Sequence, residues 1–236
     1  MTHPITRRAF VRAAAYGAGA LGVIGAGLAP MPSRKRPTAG PRLTARPRPP
    51  SATVEFGVDP AKFDRMVAVY DRAADGTFKA RPRVQPAPPK DFNGGGGLCS
   101  TANDYVRFTR MILRHGLTGV NTEILKARTV AMMMQNQIGG LTAGKLRTFQ
   151  PNVSSEVDTH PGGVDKWGLG FLLQGPGTTG VRNEGSMAWA GIYNTYFWID
   201  PHRGISGVVM MQYMPFFEKD AVGLLGDFER AVYANI

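Results

Sequence analysis

The densest run of apolar and aromatic residues lies between residues 185 and 212, and its pattern predicts a β-hairpin. We expect a first strand over residues 188–200, a turn over 201–204 and a second strand over 205–212. The small residues around Trp189, in the stretch GSMAWAG, indicate that another group approaches the backbone closely there. The hairpin is therefore predicted to form the centre of a sheet and to be the part of the chain on which function depends.

Apolar residues at helical spacing predict four helices. In the first, Asp59 is a suitable N-cap. The second begins after Ser100 or Thr101, where Asp104 completes a pattern that resembles a capping box, and it ends at Gly116. The predicted helices cover residues 59–73, 101–116, 122–134 and 220–233.

Two shorter strands are predicted before the hairpin, over residues 167–174 and 178–183. The proline-rich residues 81–90 and the polar residues 139–164 are predicted to be irregular. The order is helices first, then adjacent strands, then a terminal helix. This order favours an α+β fold in which an antiparallel sheet is covered by helices.

Basic charge is concentrated at the start of the sequence. Residues 1–54 hold nine of the 28 lysines and arginines and no acidic residue. The remainder has 19 basic and 17 acidic residues, so it is nearly neutral. Because the predicted folded part has so little excess charge, no nucleic-acid partner is predicted.

The stretch TRRAFVR at residues 6–12 has the twin-arginine pattern, and an Ala- and Gly-rich segment follows it. It predicts a twin-arginine signal peptide at 1–29, the twin-arginine export machinery as a partner, and a periplasmic or secreted location. A chain that failed to fold would stay in the cytoplasm, and a chance Arg-Arg before a buried helix is the alternative. Residues 30–53, with seven prolines, predict a linker to a domain at 54–236.

Other candidate chemistry is weak. The glycines at 94–97 lack the Gly-Lys-Ser/Thr of a phosphate-binding loop. Cys99, just before a predicted helix, could be an activated nucleophile or a small core residue. His115, His160 and His202 are scattered and are interpreted as surface or turn residues. The spacing of histidines and cysteine predicts no metal site, and no cofactor is predicted.

Four segments together resemble the C-terminal half of a serine hydrolase of the class C β-lactamase type, a family of β-lactamases, D,D-peptidases and esterases. They occur in the family order over about residues 56–236: GGGGLCSTANDYVRFTRMIL, KWGLGFLL, GSMAWAGIYNTYFWIDP and FERAVYANI. The resemblance implies a partial β-lactamase/D,D-peptidase-like fold without its N-terminal catalytic portion. It also implies a small-molecule ester or β-lactam-like substrate.

Trp189-Ala190-Gly191 matches the third sequence motif of that family in its tryptophan form. Acyl transfer needs hydrogen-bond donors aimed at the developing oxyanion, and a backbone N–H on an edge strand can be one. By the resemblance, Ile192 supplies that N–H, and Gly191 lets the acyl group lie against the strand. Trp189 would line one side of the acyl pocket and favour uncharged esters over carboxylate-bearing substrates.

The other two family motifs are not found in the sequence. None of its seven serines is followed by a lysine three positions later. Its one Tyr-x-Asn, at Tyr233, lies in the predicted terminal helix. We therefore expect a truncated relative that is inactive as a single chain, with the inner face of its sheet partly bare.

Two alternatives remain open. Cys99 or Ser186 could act as a different nucleophile, although the sequence shows no base beside either. The chain could instead be a non-catalytic binding or complementation module. Its exposed sheet would then pair with a partner chain, such as a separately encoded N-terminal half.

Overall fold

A computed structural model describes residues 55–73, 75–85, 96–176 and 181–236. The predicted signal peptide and linker lie outside these ranges. None of the helices within them is long and apolar enough to cross a membrane. The helices are a 3-10 helix at Pro60–Arg65, α1 at Ala102–Leu113, α2 at Ala127–Met133 and α3 at Lys219–Tyr233.

The strands in the described ranges belong to one larger sheet and three small ones. The larger sheet has the order β11-β10-β9-β8-β7 and is antiparallel throughout. The strands are β1 Glu55–Phe56, β2 Tyr70–Arg72, β3 Phe78–Ala80, β4 Leu98–Cys99, β5 Lys145–Leu146, β6 Val157–Asp158, β7 Lys166–Trp167, β8 Leu172–Leu173, β9 Met187–Gly191, β10 Thr195–Asp200, β11 Ile205–Val209 and β12 Tyr213–Met214.

Helices cover both faces of the larger sheet. Met187, Phe197 and Ile199 point to one face, where they pack with Ile112 of α1 and Val130 of α2. The alternate residues of the same strands point to the opposite face, because successive side chains of a strand alternate. There Ala188, Trp198 and Val209 pack with Phe228 of α3. This arrangement agrees with the predicted α+β fold.

The expectation of a bare inner sheet face is wrong for the central strands. Met187 and Ile199 have no exposed surface, and Phe197 is 7% exposed. The exposed apolar side chains on this side belong instead to α1 and to connecting segments, including Phe108, Ile124 and Leu169. The helices therefore cover the sheet.

The predicted first strand of the hairpin is in fact two strands. β9 ends at Gly191, residues 192–194 turn, and β10 runs back beside β9. Asn194 allows this turn because it has a left-handed backbone with φ of 63°. The predicted turn over residues 201–204 is confirmed between β10 and β11.

The predicted strand over 167–174 is also a tight hairpin. β7 and β8 pair antiparallel across Gly168 and Gly170. A Cβ at Gly168 would lie 2.0 Å from the carbonyl oxygen of Met133, so only glycine fits there. Of the predicted strand over 178–183, residues 181–183 are not a strand and the others lie outside the described ranges.

The helix predicted over 59–73 is wrong beyond its first turn. Asp59 does cap it, since its side chain accepts a hydrogen bond from the N–H of Ala61 at 2.9 Å. The 3-10 helix then ends, and the chain enters β2, which pairs parallel with β12 and antiparallel with β3. A pairing partner more than 140 residues away overrides the local helical pattern.

The other helices agree with the sequence more closely. Thr101 caps α1 by accepting from the N–H of Asp104, and Gly116 follows the helix with φ of 97°. The helix predicted over 122–134 forms only as α2, and the terminal helix α3 begins within one residue of its predicted start. The segment predicted as irregular over 139–164 contains the short pair β5 and β6.

Candidate active-site wall

Trp189 lies in the middle of β9 and is half-buried. Its indole packs on the side of the sheet that faces α1 and α2. The indole of Trp167 meets it edge-on, with ring centroids 4.5 Å apart and an angle of 85° between the planes. This is a favourable aromatic arrangement, so the orientation of Trp189 is set by the protein itself.

Gly191 and Ile192 lie where β9 ends and the turn begins. Gly191 pairs with Thr195, and its carbonyl accepts a hydrogen bond from the N–H of Asn194 at 2.9 Å. A Cβ at Gly191 would meet the Cβ of Thr195 at 3.7 Å, which is ordinary van der Waals contact. Ile192 is 49% exposed. Ile192, the residue after the motif, is therefore open to solvent, and packing does not require a glycine at position 191.

The turn after the motif is held by buried hydrogen bonds. The amide nitrogen of Asn194 donates to the carbonyls of Tyr213 and Pro215, each at 2.8 Å. Its amide oxygen accepts from the hydroxyl of Tyr196 at 2.7 Å. Burial raises the pKa of Tyr196, so its hydroxyl remains a donor at neutral pH. These bonds fix the backbone that presents the N–H of Ile192.

Cys99 is a residue of β4, and its backbone is in register with Glu55. Two residues separate it from the start of α1, whose N-cap is Thr101. The structure therefore places it close to a helix N-terminus, as the sequence suggested. Its possible role as a nucleophile stays a hypothesis.

Sequence reasoning missed a buried pair on the other side of β9. His160, interpreted as a surface or turn residue, is 7% exposed, and its Nδ1 lies 2.5 Å from Oδ1 of Asp165. His160, Asp165 and Ser186 line one cavity of about 200 Å³. The only sequence signal was a histidine followed by two glycines and an aspartate within five residues.

A backbone N–H and a side-chain hydroxyl hold Asp165 in place. The N–H of Gly175 donates to its Oδ1 at 3.1 Å, and the hydroxyl of Thr159 lies 3.4 Å from its Oδ2. A Cβ at Gly163 would lie 2.0 Å from the ring of His160, so the imidazole is in close contact with that glycine. In the part of the chain that the structure describes, no cluster of three or more His, Cys, Asp or Glu could hold a metal ion.

Comparison with known proteins decides the family. The family model described as Beta-lactamase matches residues 48–229. The chain belongs to the Beta-lactamase family. The resemblance drawn from the third motif and its flanking segments is thereby confirmed. The match covers the described elements from β1 to within α3.

The relatives of this Beta-lactamase-family chain are longer proteins. An uncharacterized protein of Mycobacterium tuberculosis is 32% identical over 143 residues, which are 57% of this chain and 32% of the relative. The acyltransferase calJ of Penicillium decumbens is 24% identical over 153 residues, which are 62% of this chain and 35% of the relative. The chain thus spans about a third of the length of these curated relatives.

Solved structures show the same fold. Simvastatin synthase (LovD) from Aspergillus terreus, in the form of a mutant, is similar with a TM-score of 0.59 and 21% identity, over 74% of this chain and 43% of that one. EstCE1, a hydrolase with promiscuous acyltransferase activity, is similar with a TM-score of 0.51 and 19% identity, over 75% of this chain and 45% of that one. The fold is therefore β-lactamase-like and corresponds to a little under half of each neighbour.

Proposed function

We propose that β9 and the turn after it, with Trp189, Gly191 and Ile192, form one side of an acyl-transfer site that accepts neutral esters. Trp189 lines the acyl pocket, Gly191 leaves room for the acyl group, and the N–H of Ile192 donates to the developing oxyanion. The observation that carries this proposal is the glycine at position 191. Neither a positive φ nor a close neighbour requires it, so its small size serves something outside the described fold.

The choice of esters follows from the chemistry of Trp189. An indole has no charge with which to bind a substrate carboxylate, whereas a lysine at the same position would provide one. An aromatic wall instead favours apolar acyl groups. Two similar proteins, an acyltransferase and a hydrolase with promiscuous acyltransferase activity, are by name acyl-transfer enzymes, which agrees with this choice.

As a single chain the protein is proposed to be inactive. The nucleophile of this family is the serine of a Ser-x-x-Lys motif, and no serine in the sequence has a lysine at that spacing. Without an activated nucleophile an oxyanion donor has no intermediate to stabilise. The third motif alone therefore supplies the oxyanion donor, and another segment must supply the nucleophile that starts the reaction.

The test uses the purified chain with p-nitrophenyl butyrate, a neutral ester, and with a chromogenic cephalosporin, which carries a carboxylate. We expect no turnover of either above buffer and no covalent labelling by a fluorophosphonate probe. Turnover with a labelled residue located by mass spectrometry would contradict the proposal. A label on Ser186 or Cys99 would establish the alternative nucleophile directly.

The segment that completes the site is proposed to be a partner polypeptide carrying Ser-x-x-Lys and Tyr-x-Asn. Among the described residues β11 pairs only with β10, so its outer edge can accept another strand. Co-expression with the polypeptide encoded directly upstream, followed by size-exclusion chromatography, tests for this complex.

In an active complex, Trp189→Lys is expected to lower ester turnover and to improve use of the cephalosporin relative to the ester. Equal losses on both substrates would contradict the assigned role of Trp189.

Export by the twin-arginine route is proposed from residues 6–29. A fusion of the full chain to a reporter that folds in the cytoplasm tests it, because this route carries folded proteins. We expect the reporter outside the cytoplasm, and we expect Arg7→Lys together with Arg8→Lys to retain it inside. Export that is unchanged by the double substitution would exclude this route.

A further inference from the structure

The cavity behind β9 is a separate feature from the proposed acyl pocket. It lies mainly on the α3 side of the sheet, where Ala188 and Ala190 point, and its lining also includes Trp189 and Phe197, which pack with the α1-side cluster. Its volume is about 200 Å³. An apolar cavity of about 150 Å³ is large enough to bind benzene, so this one can hold a single six-membered ring with a polar substituent.

Two buried polar atoms of the cavity lining have no hydrogen-bond partner among the described residues. They are Nε2 of His160 and Oγ of Ser186. His160 is 7% exposed and Ser186 is 1% exposed. Leaving such groups unsatisfied costs about 1–3 kcal/mol each, and native proteins rarely do so without a reason.

The pair with Asp165 defines what His160 can bind. Because Nδ1 lies 2.5 Å from a carboxylate oxygen, which only accepts, the ring proton is on Nδ1. In the tautomer with its proton on Nδ1, Nε2 is an acceptor, and both His160 and Ser186 line the cavity. The hydroxyl of Ser186 can donate, so the two side chains together match a ligand group that both donates and accepts.

The rest of the lining is mainly aromatic and aliphatic. Phe217 and Tyr196 supply rings, and Val222 and Leu225 of α3 supply aliphatic surface. The charged side chains of Arg182 and Glu229 at this cavity are paired with each other. With the carboxylate of Asp165 already beside His160, the cavity disfavours an anion.

We propose that this cavity is a binding site for a small neutral aromatic hydroxyl compound of the phenol type. The ligand hydroxyl donates to Nε2 of His160 and accepts from the hydroxyl of Ser186, while its ring packs against Phe217 and the aliphatic residues of α3. This site goes beyond the proposed acyl-transfer function, since its polar residues His160 and Ser186 have no part in that function, although Trp189 contributes to the lining of both sites.

The test compares phenol with toluene, which has nearly the same shape without the hydroxyl, by calorimetric titration of the full chain. In Ser186→Ala we expect the affinity for phenol to fall about three- to tenfold and the affinity for toluene to be unchanged. Ser206→Ala is the matched control. Its hydroxyl is bonded to Thr109 at 2.8 Å, on the α1 side of the sheet, so it should leave the phenol-to-toluene ratio unaltered.

A second measurement does not depend on any variant. Nitrogen-15 spectra of the native chain should show that phenol shifts the Nε2 signal of His160 and not those of the exposed His115 and His202. No binding of phenol to the native chain overturns the proposal and leaves a cavity that holds water only. Equal effects of Ser186→Ala on phenol and toluene, or an unmoved His160 signal, overturn it as well.

Discussion

The indole of Trp167 stands edge-on against the indole of Trp189, with ring centroids 4.5 Å apart. The two residues come from β7 and β9, which lie on either side of β8 in the sheet. A residue of the preceding hairpin therefore orients the tryptophan of the third motif. The stretch KWGLGFLL thus helps to orient Trp189, besides contributing to the core.

The contact between the two indoles is expected to couple their effects on stability. Edge-to-face aromatic pairs contribute about 0.5–1.5 kcal/mol beyond the area they bury. In a double-mutant cycle of Trp167→Leu and Trp189→Leu, urea unfolding should give a coupling free energy in that range. The same cycle between Trp167→Leu and Phe228→Leu is the control. Phe228 belongs to the cluster of Ala188, Trp198 and Val209, which contains neither Trp167 nor Trp189, so its effect should be additive. Additivity in both cycles would show that the indoles do not support each other.

Two glycines of the larger sheet, one in β11 and one in β9, are expected to respond differently to substitution by alanine. A Cβ at Gly207 would lie 2.0 Å from the buried ring of Trp198, whereas one at Gly191 would make ordinary contact. Gly207→Ala should therefore lower the free energy of unfolding by about 3 kcal/mol or more. Gly191→Ala should change it by less than about 0.5 kcal/mol. Urea unfolding of both variants measures this. A large loss for Gly191→Ala would mean that the glycine serves the fold, and the proposed function would lose its main support.

Local patterns in the sequence predicted those parts of the fold that local chemistry determines. The N-cap Thr101 and the glycine that follows α1, Gly116, were predicted correctly because each acts within one turn of a helix end. The turn over residues 201–204 was found because Pro, His, Arg and Gly interrupt two apolar runs. The third-motif residues form one continuous tripeptide, so the family resemblance could point to them, and their role in the site stays a prediction.

Distant contacts were not predictable in this way. Asn194 turns the chain inside an aromatic run because Tyr213 and Pro215 accept its side-chain hydrogen bonds, some 20 residues later. β2 is a strand because β12 pairs with it. His160 is buried because Ser186 and α3 close a cavity around it, and no pattern near residue 160 indicates this.

Asp200 is expected to make stability depend on pH. It is fully buried and accepts hydrogen bonds from Tyr233, Asn183 and the backbone of Arg203. Burial alone would raise its pKa, but these hydrogen bonds together hold the pKa below the ordinary 3.8. A folded-state pKa below the unfolded one adds stability above pH 3.8, and this contribution is lost as the pH falls through the folded pKa.

Asp200→Asn should therefore be less stable than the native chain near neutral pH, and the gap should narrow as the pH is lowered below 3.8. Urea unfolding at a series of pH values measures the gap. Asp227→Asn is the matched control, since that carboxylate is exposed at 70% of its side chain. Tyr233→Phe should cost about 1.5–3 kcal/mol at neutral pH, because it removes a donor from a buried carboxylate. A gap between native and Asp200→Asn chains that is constant with pH would contradict the assigned cause.

Asn194 combines a strained backbone with three buried hydrogen bonds, and two substitutions separate these contributions. Asn194→Gly keeps the backbone at φ of 63° without strain but leaves Tyr196 and two carbonyls without their partner. We expect it to lower the free energy of unfolding by about 3 kcal/mol, since each orphaned buried group costs about 1–3 kcal/mol and water recovers part of it. Asn194→Ala loses the same bonds and adds left-handed strain, so it should be about 1 kcal/mol less stable again. Urea unfolding gives both values, and hydrogen exchange at Ile192 should quicken in both variants because the turn that carries its N–H is loosened. If the glycine variant were as stable as the native chain, the hydrogen bonds would contribute nothing and the turn beside the third motif would be fixed by backbone preference alone.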